Sequence, residues 1–113
     1  MISTIRTEIT TAVGGAAVKT TPNLNGRLLA IAVILGTAAA IDLAVTDTDG
    51  LNLYTKAGIA ANVRVNPRAA LVLNTDGSAL LFYDAQPVVG PLTFTIANGG
   101  DGKTASVVLY LEV

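Results

Sequence analysis

Hydrophobic and polar residues alternate along several short segments of the chain, and turn-forming residues separate these segments. In the first segment, the odd-numbered residues from Ile5 to Val13 alternate with mainly polar residues at even positions. A period of two residues is typical of a β-strand with one buried face. The pattern predicts a strand over residues 2–13, a tight turn at Gly14–Gly15, and a returning strand over residues 16–21 that completes a hairpin.

Similar segments follow to the end of the chain, with turns rich in Gly, Asn and Asp between them. Residues 22–26 and 56–67 are predicted loops, and the second is an irregular connection that crosses between sheets or over a sheet edge. Pro87 and Pro91 are predicted to bracket a third loop, because proline cannot donate to a central β-ladder. The remaining predicted strands cover residues 27–35, 40–46, 51–55, 68–73, 79–83, 92–96 and 103–113.

Evenly spaced short strands without a helical period are typical of a β-sandwich, a jelly roll or a small barrel. We therefore predict an all-β fold, in which residues 1–113 form a single-domain, jelly-roll-like β-sandwich of eight or nine short antiparallel strands. Residues 1–13 are either an extended N-terminal arm or an edge strand of this domain. The local pattern leaves the strand order open.

The segment Leu28–Ile41 is apolar and carries no charge. It is shorter than the roughly 18 apolar residues that a membrane-spanning helix needs, and Asp42 ends it. The long, alternating, Thr-rich stretch before it does not fit the charged start of a signal peptide. We predict two buried strands that are separated by Gly36 and the alanines after it.

The composition indicates a surface with few charges. Only 13% of residues are charged and 51% are hydrophobic, and the formal net charge is −1. Soluble domains average about 25% charged residues. A surface with so few charges exposes apolar side chains, and large apolar patches usually mark contact sites. We therefore expect oligomerisation or docking to a partner. The alternative is a small β-domain with a Thr-rich surface. The scattered Lys and Arg residues give no electrostatic reason to expect nucleic acid or a membrane as a partner.

Residues suited to catalysis or metal binding are sparse. The chain contains no His and no Cys, which excludes disulfides, thiolate metal sites and a Ser-His-Asp triad in its usual form. Asp47–Gly50 and Asn74–Gly77 resemble the start of a calcium loop, but both lack the downstream bidentate Glu. Asp-Gly also favours a hairpin turn, which is the preferred interpretation. We predict no enzymatic activity, no metal and no cofactor.

Two groups of residues have both a structural and a functional interpretation. Arg64, Pro67 and Arg68 lie at the end of the predicted irregular connection. They either lead a surface loop into a strand or contact a partner through guanidinium hydrogen bonds. The three tyrosines of the chain are either interface anchors or sheet-packing residues.

Five stretches together carry a resemblance to a known family. They are the Thr-rich Thr7–Thr21, the NGRLL-I pattern of Asn25–Ile31, the stretch Ile41–Gly50, Asn66–Arg68 leading to Asp76–Gly77, and the ANGGDGKTASVVLYL ending, Ala97–Leu111. In this order they resemble the decoration, or cement, proteins that tailed bacteriophages encode beside the major capsid protein.

The resemblance implies a jelly-roll-like sandwich that binds the outer surface of a phage capsid and stabilises the shell by bridging capsomers. The implied partners are the major capsid protein and further copies of the chain, as a homodimer or homotrimer. The implied location is the virion, after synthesis in the host cytoplasm. The contact residues that we predict on this basis are Ile2, Ile5, Arg6, Arg64, Pro67 and Arg68.

Two other functions fit part of the pattern. A neck, tail-tube or fibre-base protein would use the same fold to assemble into rings or tubes within the virion. A carbohydrate-binding β-sandwich is disfavoured, because such modules usually present exposed aromatic platforms. This chain has no Trp and only 4% aromatic residues.

Overall fold

The computed structural model describes residues 1–69 and 84–113, and gives side chains for all of these except residues 68, 69 and 84–86. The predicted turn at 74–77, the predicted strand over 79–83 and most of the predicted strand over 68–73 lie outside the described residues. The described residues form ten strands and no helix. The strands are β1 (Ile2–Thr10), β2 (Ala17–Thr20), β3 (Leu24–Leu35), β4 (Ile41–Thr46), β5 (Asn52–Ile59), β6 (Val63–Val65), β7 (Arg68–Ala69), β8 (Asp84–Gly90), β9 (Thr93–Ala97) and β10 (Thr104–Glu112).

The strands form two antiparallel sheets. The larger sheet has the order β1-β10-β3-β8-β7, and β6 also pairs with β3. The smaller sheet has the order β2-β9-β4-β5. The long strand β3 pairs with β8 through its first half and with β6 through its second half, which places both on the side away from β10.

The pairing is nested when the two short strands β6 and β7 are set aside. The first strand pairs with the last (β1 with β10), the second with the last but one (β2 with β9), then β3 with β8 and β4 with β5. This arrangement of eight strands in two sheets is a jelly roll. The predicted all-β, jelly-roll-like sandwich is confirmed, and the strand order, which the sequence left open, is now defined.

The core lies between the inner faces of the two sheets. Leu109 of β10 and Ile31 of β3 are fully buried on the larger sheet, and Phe94 and Val45 are fully buried on the smaller one. In the last strand, the predicted inward face of odd-numbered residues is confirmed from 105 to 111, which belong to the core cluster. Val113, predicted on the same face, lies beyond the strand and is exposed. Burying side chains of this size supplies most of the stabilisation of such a domain, about 1.5–3 kcal/mol for each.

The apolar segment Leu28–Ile41 divides into two strands, as predicted. β3 ends at Leu35, and the N–H of Gly36 then donates to the carbonyl of Thr104 at 3.0 Å before β4 begins in the opposite sheet. No helix in the described parts of the chain is long and apolar enough to cross a membrane.

The predicted hairpin between the first two strands is wrong. A turn is present, with the N–H of Gly15 donating to the carbonyl of Ala12 at 3.0 Å, but β1 and β2 belong to different sheets. The turn packs on the 98–102 turn instead: a Cβ atom at Gly15 would lie 2.7 Å from the nitrogen of Gly100. Gly15 therefore marks close contact between two chain crossings, whereas the sequence pattern indicated a hairpin.

Three predicted loops are also wrong in part. Leu24–Gly26 belongs to β3, and Lys56–Ile59 continues β5. Pro87 lies within β8 opposite Arg27, beyond the two residues of β8 that pair with β7. Its missing N–H is tolerated there because no described strand lies on its other side.

Two buried threonines hold the chain where it passes between the sheets. At one end, the N–H of Thr11 donates to the carbonyl of Lys103 at 2.8 Å, and the N–H of Lys103 donates to the Thr11 hydroxyl at 2.9 Å. At the opposite end, Thr21 and Leu92 exchange the same two bonds, both at 2.9 Å. The threonines are only 5% and 6% exposed, so these bonds satisfy polar groups that water does not reach.

We predict that Thr21→Val lowers the free energy of unfolding by about 1–3 kcal/mol, because the buried N–H of Leu92 loses its acceptor. The control is Thr20→Val, an exposed position one residue away, where the change should stay within about 0.5 kcal/mol. Urea denaturation of both variants and the native chain measures the difference. Equal stabilities for the two variants would contradict the role of the buried hydroxyl.

Candidate interaction surface

The outer face of the larger sheet gathers the arginines whose side chains the structure describes. Directly paired residues point to the same face of a sheet. Arg6 of β1 pairs with Val108, Val108 with Ala32, and Ala32 with Arg64 of β6, so these four residues form one row across four strands. Strands lie about 4.8 Å apart, which separates the Cα atoms of Arg6 and Arg64 by about 14 Å.

The middle of this row is apolar and protected from solvent. Val108 and Ala32 are only 8% and 7% exposed although they face away from the core, because longer side chains surround them. Arg64 lies over the ring of Tyr110, with its Cζ atom 4.8 Å from the ring centroid, and donates to the Tyr110 hydroxyl at 3.0 Å. This geometry combines a cation–π contact with a hydrogen bond.

A hydrogen bond of Arg6 and a third arginine, Arg27, complete this surface. Arg6 donates to the hydroxyl of Ser106 at 3.3 Å, which orients it across β10. Arg27 lies opposite Glu112 and is exposed. We call this surface the arginine face and define it by Arg6, Ala32, Arg64, Val108, Tyr110 and Arg27. Two carboxylates, those of Glu8 and Glu112, share the same side of the sheet.

The arginine face is suited to binding another protein. Guanidinium groups present several donors in a fixed plane, and they bind carboxylates with two parallel hydrogen bonds. Arg and Tyr are enriched among the residues that dominate protein interfaces. Since the side chains of Arg6 and Arg64 already contact the sheet, their binding to a partner would cost less conformational entropy than that of unrestrained side chains.

The structure places the predicted contact residues in different environments. Arg6 and Arg64 are both on the arginine face, and Ile2, 64% exposed, lies at the end of the same side of the sheet. Ile5 faces the opposite way and packs partly buried against the core. Pro67 is half-buried in the connection from β6 to β7. Arg68 pairs with Ala85 through its backbone, and its side chain lies outside the described residues.

The sequence pattern did not indicate Arg27 and Val108 as surface contact residues. The alternation of the last strand predicts that Val108 faces outward. It does not predict which residues of the neighbouring strands lie beside Val108. Arg27 reaches the arginine face because the register of β3 against β10 shifts by one residue at Leu29. Without that β-bulge, strict alternation would direct Arg27 inward, and no local sequence signal predicts it.

The outer face of the smaller sheet has a different chemistry. Across its strands, Thr95 pairs with Val18 and with Ala44, and Ala44 pairs with Thr55. In the next outward row Thr93 pairs with Thr20 and Thr46. No Lys or Arg occupies an outward position of this sheet in its described strands. We call this surface the threonine face.

Asp42 is the acidic residue of the threonine face, and it has a structural role. Its carboxylate accepts the N–H of Gly58 at 2.8 Å and the side-chain amide of Asn98 at 2.6 Å. β5 is bulged opposite Asp42, where Gly58 has a φ of 66°, so the carboxylate satisfies an N–H that the ladder does not. The bond from Gly58 and then the bond from Asn98 lower the pKa of the Asp42 carboxyl below its ordinary value.

Asp47 likewise supports a turn, as its Asp-Gly pattern predicted. Its carboxylate accepts the N–H groups of Asp49 and Leu51, both at 2.9 Å, and its carbonyl accepts the N–H of Gly50 at 3.1 Å. The described residues contain no group of three or more acidic side chains that would hold a metal ion.

Comparison with known proteins gives little further information. No protein-family model matches the chain, and no curated protein sequence matches it. One solved structure that does match is the "Structure of infectious bursal disease virus Gx strain", with 14% sequence identity and a TM-score of 0.30. The match covers 98% of this chain but only 36% of that one. A similarity this low carries no argument about function.

We predict that the stabilising effect of Asp42 is lost in acid. The pKa of its carboxyl is lower in the folded chain than its ordinary value of 3.8. The contribution is therefore complete above pH 3.8 and disappears as the pH falls through the folded-state pKa. Denaturation of the native chain and of Asp42→Asn between about pH 7 and about pH 3 should show a constant difference that shrinks at the acid end. A difference that stays constant to the acid end would contradict this.

Proposed function

We propose that the chain is a structural protein of a virus particle that binds the outer surface of a tailed-phage capsid and stabilises the shell by bridging capsomers. The observation that carries the proposal is the arginine face. It brings Arg6 and Arg64 into one row, with their Cα atoms about 14 Å apart and Val108 and Ala32 between them, on a sheet of paired strands.

A protein that bridges capsomers needs a rigid fold and a broad contact surface, and the larger sheet offers both. The arginine face extends over four hydrogen-bonded strands, so its side chains are held at fixed separations. Capsid joints repeat many times over a shell, so many copies with modest individual affinity reinforce the assembly together. The segments that resemble decoration proteins support the choice of a phage shell, including Asn25–Ile31 and Ala97–Leu111.

The two outer faces suggest an orientation on the shell. In the proposal the arginine face contacts the capsid, where backbone carbonyls and carboxylates accept its hydrogen bonds. The threonine face, with its uncharged hydroxyls and with the carboxylate of Asp42 already held by Gly58 and Asn98, points to solvent.

The test is cosedimentation of the purified chain with expanded, undecorated phage capsids. Saturable binding at a copy number that fits the shell lattice supports the proposal. If the chain does not bind capsids but assembles alone into rings or tubes, the result supports a neck, tail-tube or fibre-base role instead. Absence of binding by a chain that forms no rings or tubes would overturn both.

Replacing one arginine tests the orientation. We expect Arg64→Ala to raise the dissociation constant for capsids about tenfold, as for an interface arginine worth about 1.4 kcal/mol. Thr95→Ala on the threonine face is the matched control and should bind as the native chain does. The proposed orientation is reversed if the control, rather than Arg64→Ala, loses affinity. Arg68→Ala in the same assay decides whether that predicted contact is retained.

A further inference from the structure

The outer edge of β1 differs from the other sheet edges that the structure describes. β1 pairs with β10 without interruption from Ile2 to Thr10, and no described strand pairs with its other side. It is nine residues long and contains no proline and no bulge. Long edges of this kind are open to pairing with another strand.

The remaining described edges are protected against such pairing. β2 has four residues and places Lys19 opposite the buried Phe94, an inward position. β5 is bulged at Gly58 and places Lys56 opposite the buried Leu43. Short length, inward-directed charge and bulges are the devices that prevent edge-to-edge association. β6 and β7 have three and two residues, and β8 carries Pro87. In β1, by contrast, the inward positions from 3 to 9 carry no charge.

The backbone groups along this edge can be assigned from the ladder. Odd-numbered residues bond to β10 at both ends of β1: the N–H of Val113 donates to the carbonyl of Met1 at 2.9 Å, and the N–H of Thr11 donates to the carbonyl of Lys103 at 2.8 Å. Because alternate residues of an antiparallel strand bond to opposite sides, the even-numbered residues from Thr4 to Thr10 direct their N–H and C=O groups outward.

The sequence of β1 is complementary to itself when read in the opposite direction. Residues 4–10 read TIRTEIT. If two copies pair antiparallel about a twofold axis at Thr7, Arg6 of each copy lies opposite Glu8 of the other. The same register pairs Ile5 with Ile9 and Thr4 with Thr10. Inward residues then meet inward residues, as a continuous sheet requires.

We infer that the chain forms a homodimer in which the β1 strands of two copies pair antiparallel in this register and join their larger sheets into one. The four even-numbered residues of each strand would form about eight main-chain hydrogen bonds between the copies. The neighbouring even registers place Arg6 opposite Arg6 or Glu8 opposite Glu8, and like charges directly opposite are destabilising. The charges of β1 therefore select both the partner and the register.

Charge exchange provides the test, and it needs no capsid, so its outcome is independent of the proposed virion role. Sedimentation equilibrium of the native chain should show a mass that rises with concentration towards twice 11.5 kDa. Arg6→Glu and Glu8→Arg alone each turn two attractive pairs into two repulsive ones, and each should raise the dimer dissociation constant about tenfold or more.

Two combinations restore complementarity. The double variant Arg6→Glu with Glu8→Arg should dimerise as the native chain does. An equimolar mixture of the two single variants should form heterodimers, which native mass spectrometry distinguishes by mass, and heterodimer formation also shows that both variants are folded. Arg64→Glu, on the same face but three strands from the edge, is the control and should leave the native dimer unchanged.

Three results would overturn the inference. The first is a native chain that remains monomeric at the highest soluble concentration. The second is dimerisation of both single variants with the native dissociation constant, which would assign the dimer to another surface. The third is a mixture of the single variants that forms no heterodimer although each variant unfolds cooperatively on heating.

Discussion

The buried hydrogen bonds of Thr11 and Thr21 are the constraint on which this jelly roll depends. With β6 and β7 set aside, all consecutive strands except β4 and β5 lie in opposite sheets. The chain must therefore repeatedly pass the edge of the core, where backbone polar groups lose both water and ladder partners. Each threonine joins two such crossings, one to Lys103 and the other to Leu92. The bonds between Thr11 and Lys103 hold the end of β1 beside the start of β10. The bonds between Thr21 and Leu92 hold the end of β2 beside the start of β9, and together they establish the nested order.

The nested order separates the chemistry of the two outer surfaces. Pairing β1, β10, β3 and β6 in one sheet brings Arg6 and Arg64 into a single row, although 58 positions separate them in the numbering. The other sheet turns mostly threonine and alanine outward and uses the carboxylate of Asp42 to hold its own bulge. The few charges of the chain are thus distributed unevenly, with three arginines on one outer surface and no Lys or Arg at the outward positions of the described strands of the other.

Strand β1 has three roles because a strand presents two faces and two edges. Its inner face contributes Ile9 to the core, its outer face contributes Arg6 to the arginine face, and its outward backbone groups form the open edge. The same two charges, Arg6 and Glu8, belong to the outer face and lie beside the open edge. The proposed recognition of a capsid and the inferred pairing of two copies are therefore separable, since Arg64 lies three strands from that edge.

The strands and their inward faces were determined largely by the sequence alone, because a period of two residues and an Asp-Gly turn are local signals. Alternation predicted the buried side of the last strand, and Gly36 divided the segment Leu28–Ile41 correctly. The partners of the strands were decided only by the tertiary structure. Gly14–Gly15 indicated a hairpin, but the turn packs on a distant crossing, and the bulge at Leu29 turns Arg27 to the outer face. These outcomes depend on contacts between residues far apart in the chain, which no local pattern encodes.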